Sequence, residues 1–431
     1  MQNSWLSPDE QEEVINLLLR FGLIKFSNKR DLPLKSGGFT DIYINLRDAR
    51  NNPEAISGLA NYYANALRRL RINRFVEVPD SVSCFAGPIS LLTKFPYLTI
   101  RESPKTGRVV KPGVIGNPNF GDRVAILDDV ITNGDSKIVP YQECLRMGLG
   151  VESLVVLVDR QQGWQKKLAE LGIDLNVWAG MTLHDVRRRL IENGTMVRCD
   201  SVVEDKNPII VALDGKSWEE ILPLLDSLRT SGCVLKVNDL MFDKGMEWLL
   251  PNLSVYGEVM ADLKGHDIPN TLKNIAKRLS RYAPWAVTIH ASGGREMIKA
   301  SVDALKGTKT KVLAVTVLTS IDENTSQEIY SRLPVEQVRV LARIAHESGA
   351  HGFVCSPEEV EELKKTYPDM LAIVPGVRSV GKDVADQKRT DTPSATIKRG
   401  ANRIVMGRQI LEAKNPVAEV ERVMREELEI A

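Results

Sequence analysis

The sequence predicts two α/β domains: an amino-terminal parallel sheet with flanking helices, then a (β/α)8 TIM barrel. Three observations lead there. The chain has 431 residues, more than one hydrophobic core usually supports. Short runs rich in Val and Ile alternate with segments of helical period, the pattern of parallel strands joined by crossover helices. In the second half these runs number eight, the count that closes such a barrel.

In the first half the strand candidates are residues 74–79, 97–101, 123–132, 154–160 and 174–181, with helical stretches at 55–70 and 136–147. A polar stretch without clear period, TMVRCDSVVEDKN at 195–207, reads as a linker between domains at 1–194 and 208–431. Beyond it the strand candidates are 209–213, 234–237, 259–263, 286–290, 312–318, 352–355, 372–374 and 403–406. Helical segments at 218–230, 271–281, 296–305, 335–348, 357–365 and 417–427 fill the gaps. In such barrels the chemistry gathers at the carboxy ends of the strands.

Composition narrows the ligands. A formal charge of +1 and 26% charged residues leave no basic excess for nucleic acid, so small molecules are the expected partners. Five cysteines with no CxxC pair suit reduced thiols in a cytosol. The opening MQNSWLSPDEQEEV lacks a basic start with an apolar core, and no run approaches the roughly 18 apolar residues of a membrane span. The expectation is a soluble cytoplasmic protein. His184, His266, His290, His346 and His351 show no ligand spacing, so they read as structural, and no metal site is expected from protein side chains.

Asp262 and Lys264 end the third barrel strand, and Asp267 follows in the loop. Alternate residues of a strand share a face, so Asp262 and Lys264 should point together at the barrel mouth. Alone, DxKxxD is most simply a surface ion-pair cluster. Here Lys236 ends the second strand and Asp214 the first, and five charged groups at one rim mark a functional site. Arg378 and Arg408 follow the seventh and eighth strands, where barrels often hold phosphate and where planar guanidinium forks suit a dianion.

Through VALD, LKV, DLKGHDIPNT, TIHASGG, VTVLTS, PGVR, DQKR and MGRQI, residues 208–431 resemble orotidine 5'-phosphate decarboxylase. The resemblance implies a cofactor-free barrel that converts orotidine 5'-phosphate to UMP. Lys264 would protonate the C6 carbanion, and Asp262 would lie against the departing carboxylate. Lys236 and Asp214 would hold ribose hydroxyls, and Asp267 would come from the other subunit of a homodimer. The phosphate would meet Arg378, Gln387 and Arg408, and the pyrimidine side Thr319, with Thr271, Ser320, Pro375 and Gly407 also at the substrate. Asn238 departs from the glycine usual after LKV. A neighbouring barrel family shares DxKxxD but uses magnesium, with an acid where Lys236 stands, and a lysine there repels a metal.

In the first half, VAILDDVITNGDS at 124–136 carries an apolar strand into Asp128 and Asp129, then a small polar turn that opens a helix. Backbone N–H groups of such a turn can cradle phosphate, and adjacent carboxylates can take ribose hydroxyls. By itself an Asp-Asp pair is often a helix cap. The segment resembles the phosphoribosyl-pyrophosphate motif of orotate phosphoribosyltransferase, a likeness that extends to LKSGGF at 34–39 and VDR at 158–160. It implies Asp128 and Asp129 at the ribose and Thr132, Asn133, Gly134, Asp135 and Ser136 at the 5'-phosphate. Lys35 would serve the pyrophosphate side, Arg101 and Lys105 would cover the pyrophosphate in the neighbouring subunit, and Phe39 would belong to the same transferase site. Arg160 would meet the orotate carboxylate, and Mg2+ would enter with phosphoribosyl pyrophosphate. Glu102 stands where a lysine is expected, no His or Tyr precedes Gly107, and Asp135 and Glu77 replace usual glycines.

Transferase before decarboxylase resembles the fused UMP synthase family, which implies that orotate and phosphoribosyl pyrophosphate give orotidine 5'-phosphate and then UMP. The alternative is a decarboxylase with a degenerate transferase-like domain for dimerisation or nucleotide sensing. A non-enzymatic reading, with both halves as ligand-binding relics, is opposed by the intact Asp214, Lys236, Asp262, Lys264 and Asp267 set.

Overall fold

Val and Ile on consecutive positions, with both faces covered, are what buried parallel strands require, and the first sheet shows it. The computed structural model describes residues 4–29, 31–34, 39–100, 114–197, 207–381 and 389–430. Its Cα framework divides into two compact units, Met1–Met196 and Val197–Ala431.

The first unit is built on six strands: β1 (Arg74–Glu77), β2 (Tyr97–Ile100), β3 (Val114–Ile115), β4 (Arg123–Ile131), β5 (Gly150–Asp159) and β6 (Val177–Thr182), in the order β6-β5-β4-β1-β2-β3. All neighbours are parallel except β2 and β3. Phe75, Ala125, Leu127, Val155 and Leu157 enter one core cluster, while Val76, Val124, Ile126, Leu154 and Val156 enter another. Successive residues thus serve opposite faces. Past the carboxy end of β4 comes the turn Thr132–Gly134, where Gly134 adopts φ 87° and opens the helix Asp135–Arg146, a conformation that favours glycine. Two short antiparallel ribbons precede the sheet, Ile24–Phe26 with Ile42–Ile44 and Leu32–Pro33 with Phe39–Thr40. They and β3 are additions to the sequence reading.

The second unit is a closed eight-stranded parallel barrel: β7 (Ile209–Ala212), β8 (Val234–Val237), β9 (Val259–Gly265), β10 (Ala286–His290), β11 (Lys311–Val315), β12 (Gly352–Val354), β13 (Leu371–Val374) and β14 (Arg403–Met406). It closes by pairing Ile209 with Ile404. Ile210, Val234, Met260, Ala286, Leu313 and Ile373 form one interior cluster with Trp285. At the amino ends the guanidinium of Arg403 lies 5.2 Å from the Trp285 ring, and Arg403 donates to Asn207 O at 2.5 Å. Asn207, read as the last linker residue, is therefore tied to the barrel floor. Gly352 is required sterically, because a Cβ there would stand 2.5 Å from Leu371 O.

Three expected boundaries shift for physical reasons. Strand β11 stops at Val315, past which Thr316 spends both its N–H, at 3.1 Å, and its Oγ1, at 2.7 Å, on the single acceptor Val354 O. Strand β9 runs on to Gly265 through a break in register after Ala261. The helix expected from 357 starts at Val360, since Ser356 N donates to Glu359 Oε2 at 2.9 Å in the preceding turn. No described helix is long and apolar enough to cross a membrane.

Candidate active site

Parallel register brings the polar ends of β7, β8 and β9 side by side, with Ala212 opposite Lys236 and Lys236 opposite Met260. Lys236 Nζ lies 2.6 Å from Asp214 Oδ2 and 2.9 Å from Asp262 Oδ2, and Lys264 Nζ lies 2.5 Å from the same Asp262 oxygen. Thr288 Oγ1 donates to Asp262 Oδ1 at 2.8 Å. Asp262 and Lys236 are almost wholly buried, while the side chains of Lys264 and Asp214 remain 37% and 42% exposed. The inner pair neutralise each other and the outer pair face the opening.

Burial opposes the charge on Lys236, but Asp262 and Asp214 outweigh it and raise the ammonium above its ordinary value. Burial likewise opposes ionisation of Asp262, and Lys236 and Lys264 outweigh it, holding the carboxyl below the usual range. Lys236 and Asp262 thus stay charged near neutrality. Asp262 and Lys264 converge as expected, yet not by simple strand alternation: Lys264 has φ 48° within the irregular end of β9.

These four residues line a cavity of about 650 Å3 with Thr319, Ser320, Pro375, Arg378, Gly407 and Arg408. The two arginine loops are cross-linked: Ser379 N donates to Gln409 Oε1 at 3.0 Å and Gln409 Nε2 to Ser379 Oγ at 2.6 Å. Asp267 and Thr271 do not join the cavity. Asp267 is exposed, and its Oδ1 accepts from Ile268 N at 2.6 Å. Gln387 lies outside the described residues. The sequence reading passed over Arg389 of DQKR, which is buried, ion-paired with Glu359, and donates to Leu318 O at 3.1 Å behind Thr319. It also passed over Thr288 of TIHASGG, for which position two before His290 was the available signal.

In the first unit a cavity of about 730 Å3 is lined by Asp128, Asp129, Thr132, Asn133, Asp135, Ser136 and Arg160. Lys35, Arg101, Glu102 and Lys105 lie outside the described residues, and Phe39 is exposed and does not line the cavity. Arg160 donates to Ile42 O at 3.1 Å and Thr40 Oγ1 at 2.9 Å. Two cations absent from the sequence reading, Arg47 and Lys137, also line it. Lys137 is buried against the carboxylate of Asp128, whereas Asp129 is only partly buried. Burial, with Arg47 beside it, pulls the Lys137 ammonium below its ordinary value. No cluster of three or more potential metal ligands occurs among the described residues.

A closed β/α barrel whose strand ends carry interleaved carboxylates and ammonium groups, with two arginines on the last two loops, defines an enzyme of small anionic substrates. The chain belongs to the orotidine 5'-phosphate decarboxylase / HUMPS family, whose profile matches residues 207–423. Over 215 residues it is 40% identical to orotidine 5'-phosphate decarboxylase of Psychromonas ingrahamii, covering 48% of this chain and 92% of that protein. The crystal structure of orotidine 5'-phosphate decarboxylase from Lactobacillus acidophilus is 35% identical, with a TM-score of 0.46, and covers 51% of this chain and 98% of that one. The structure of Leishmania donovani UMP synthase is 30% identical with a TM-score of 0.38, covering 43% of this chain and 39% of that one.

Proposed function

We propose that the barrel decarboxylates orotidine 5'-phosphate to UMP without a cofactor, and that the amino-terminal unit supplies this substrate from orotate and phosphoribosyl pyrophosphate. The observation that carries the first half is the Asp214, Lys236, Asp262, Lys264 array. Lys236 Nζ sits within 2.9 Å of two carboxylates, so an ammonium holds the position a metal cation would need. Two like charges about 4 Å apart at an effective dielectric near 20 repel by roughly 4 kcal/mol, and Asp262 would oppose the substrate carboxylate in that way. As the C6–carboxylate bond breaks, CO2 leaves and its electron pair stays on C6. Lys264 stabilises that charge more than it stabilised the substrate, and then gives C6 a proton. Arg378, Arg408 and Gln387 hold the phosphate, Thr319 and Ser320 the pyrimidine, and a homodimer brings Asp267 of one chain to the site of the other.

The transferase reading rests on the cavity at the end of β4, with its phosphate-sized turn Thr132–Ser136 and Arg160 opposite. Magnesium would enter with the pyrophosphate, whose oxygens are hard ligands. A second reading is favoured by Lys137: it occupies Asp128, one of the two acids meant for ribose, as a degenerate nucleotide-sensing or dimerising domain would tolerate. Purified Lys264→Ala protein given orotate, phosphoribosyl pyrophosphate and magnesium separates the two. Accumulating orotidine 5'-phosphate supports the transferase. Unconsumed orotate, with wild type still decarboxylating supplied orotidine 5'-phosphate, supports the second reading.

A further inference from the structure

Around Lys264 the strand leaves its ladder. Ala261 pairs with Val287, but the next pair in register is Gly265 with Ile289, so residues 262–264 stand opposite Thr288 alone. The φ of 48° at Lys264 lies in the left-handed region, where a residue with a Cβ is strained. A bulge of this kind also withdraws backbone groups from the sheet, and a buried one left without a partner is destabilising. Side chains from both flanking strands take up two such groups. Asn238, just past β8, donates Nδ2 to Asp262 O at 2.5 Å. Thr288 in β10 accepts from Lys264 N at 2.9 Å while donating to Asp262 Oδ1 at 2.8 Å. Thr288 is fully buried, which leaves water no route to replace it. Neither side chain lines the cavity.

We infer that Asn238 and Thr288 are positioning residues for decarboxylation. Together they clasp the bulge from its two sides, holding Lys264 in its left-handed conformation and its ammonium on Asp262, and they act on the reaction only through those two residues. The inference rests on the decarboxylase reading above. Displacing a reacting group by about 1 Å can cost on the order of 100-fold in rate, so a loosened clasp should appear in kcat while phosphate binding is spared.

The full-length chain is assayed for decarboxylation of orotidine 5'-phosphate as wild type, Asn238→Ala, Thr288→Val and Thr288→Ser, with UMP affinity measured by calorimetry. Thr288→Val keeps the shape and loses the hydroxyl; Thr288→Ser keeps the hydroxyl. The expected result is a kcat about 10- to 100-fold lower in Asn238→Ala and Thr288→Val, KM and UMP affinity near wild type, and most of the rate kept in Thr288→Ser. Asn238 is half-exposed, so its variant reports even if Thr288→Val fails to fold. An active wild type with unaltered kcat in the variants, or a loss confined to KM, or Thr288→Ser as impaired as Thr288→Val, overturns the inference alone. A wild type inert toward orotidine 5'-phosphate overturns the decarboxylase reading and this inference with it.

Discussion

Between exposed Asp214 and buried Asp262 the Lys236 ammonium is the cation that both carboxylates share. Replacing it leaves buried Asp262 with Lys264 as its remaining partner and Asp214 facing it, a loss that reaches toward the about 3–5 kcal/mol of a broken buried ion pair. Lys236→Met should therefore unfold the barrel at markedly lower denaturant, read by chemical denaturation. The pH dependence has a defined sign. Asp262 has a depressed folded pKa, so its contribution is present above the ordinary carboxylate value and is lost as pH falls through the folded one. Lys236 has a raised folded pKa, so its contribution is present below the ordinary lysine value and is lost as pH rises through the folded one. The stability gap between wild type and Lys236→Met should be flat from about pH 5 to pH 9 and shrink outside that window; a gap that changes steeply near pH 7 would contradict the paired array. Lys264→Ala should lower decarboxylation by about 10²-fold or more, as loss of a positioned proton donor does, with UMP affinity changed little because the arginine loops are untouched.

The loops after β13 and β14 act as one element through the Ser379–Gln409 hydrogen bonds. Arg378 and Arg408 each precede a residue of that cross-link, so both guanidinium groups inherit its rigidity. A charge-assisted hydrogen bond contributes about 1.5–3 kcal/mol, and Arg408→Ala should raise KM for orotidine 5'-phosphate by about 10- to 100-fold, measured by steady-state kinetics. Ser379→Ala should give a smaller rise of the same type. Elements of this unit were legible where hydrophobicity decides the outcome: β8, β10 and β14 begin and end where the Val- and Ile-rich runs at 234–237, 286–290 and 403–406 do. In the first unit the two-residue β3 and the short ribbons were not legible, because so few residues carry no period. The bulge in β9 was also hidden, since Lys264 reads as an ordinary alternating position until neighbouring strands supply Asn238 and Thr288 as partners.

At the scale of the whole molecule, Asp267 is the residue a single chain leaves unused. If it serves the partner's site, Lys264→Ala and Asp267→Ala chains, each inactive alone, should complement when mixed and allowed to exchange. Random pairing makes half the dimers mixed, and each mixed dimer holds one intact site of two, so activity should recover to about a quarter of wild type. Mixtures that stay inactive would leave Asp267 without that role. The sequence by itself determined the barrel's eight strands and the charged residues at their ends, because burial periodicity and the carboxy-end rule are local properties of the chain. It also carried the family likeness of 208–431, which is written in short motifs. Only the tertiary structure decided which charges pair. Lys137 against Asp128, Arg389 against Glu359 and the clasp on Lys264 join residues distant in sequence or hidden by regular patterning, and such contacts depend on how strands and loops meet in space rather than on any period along the chain.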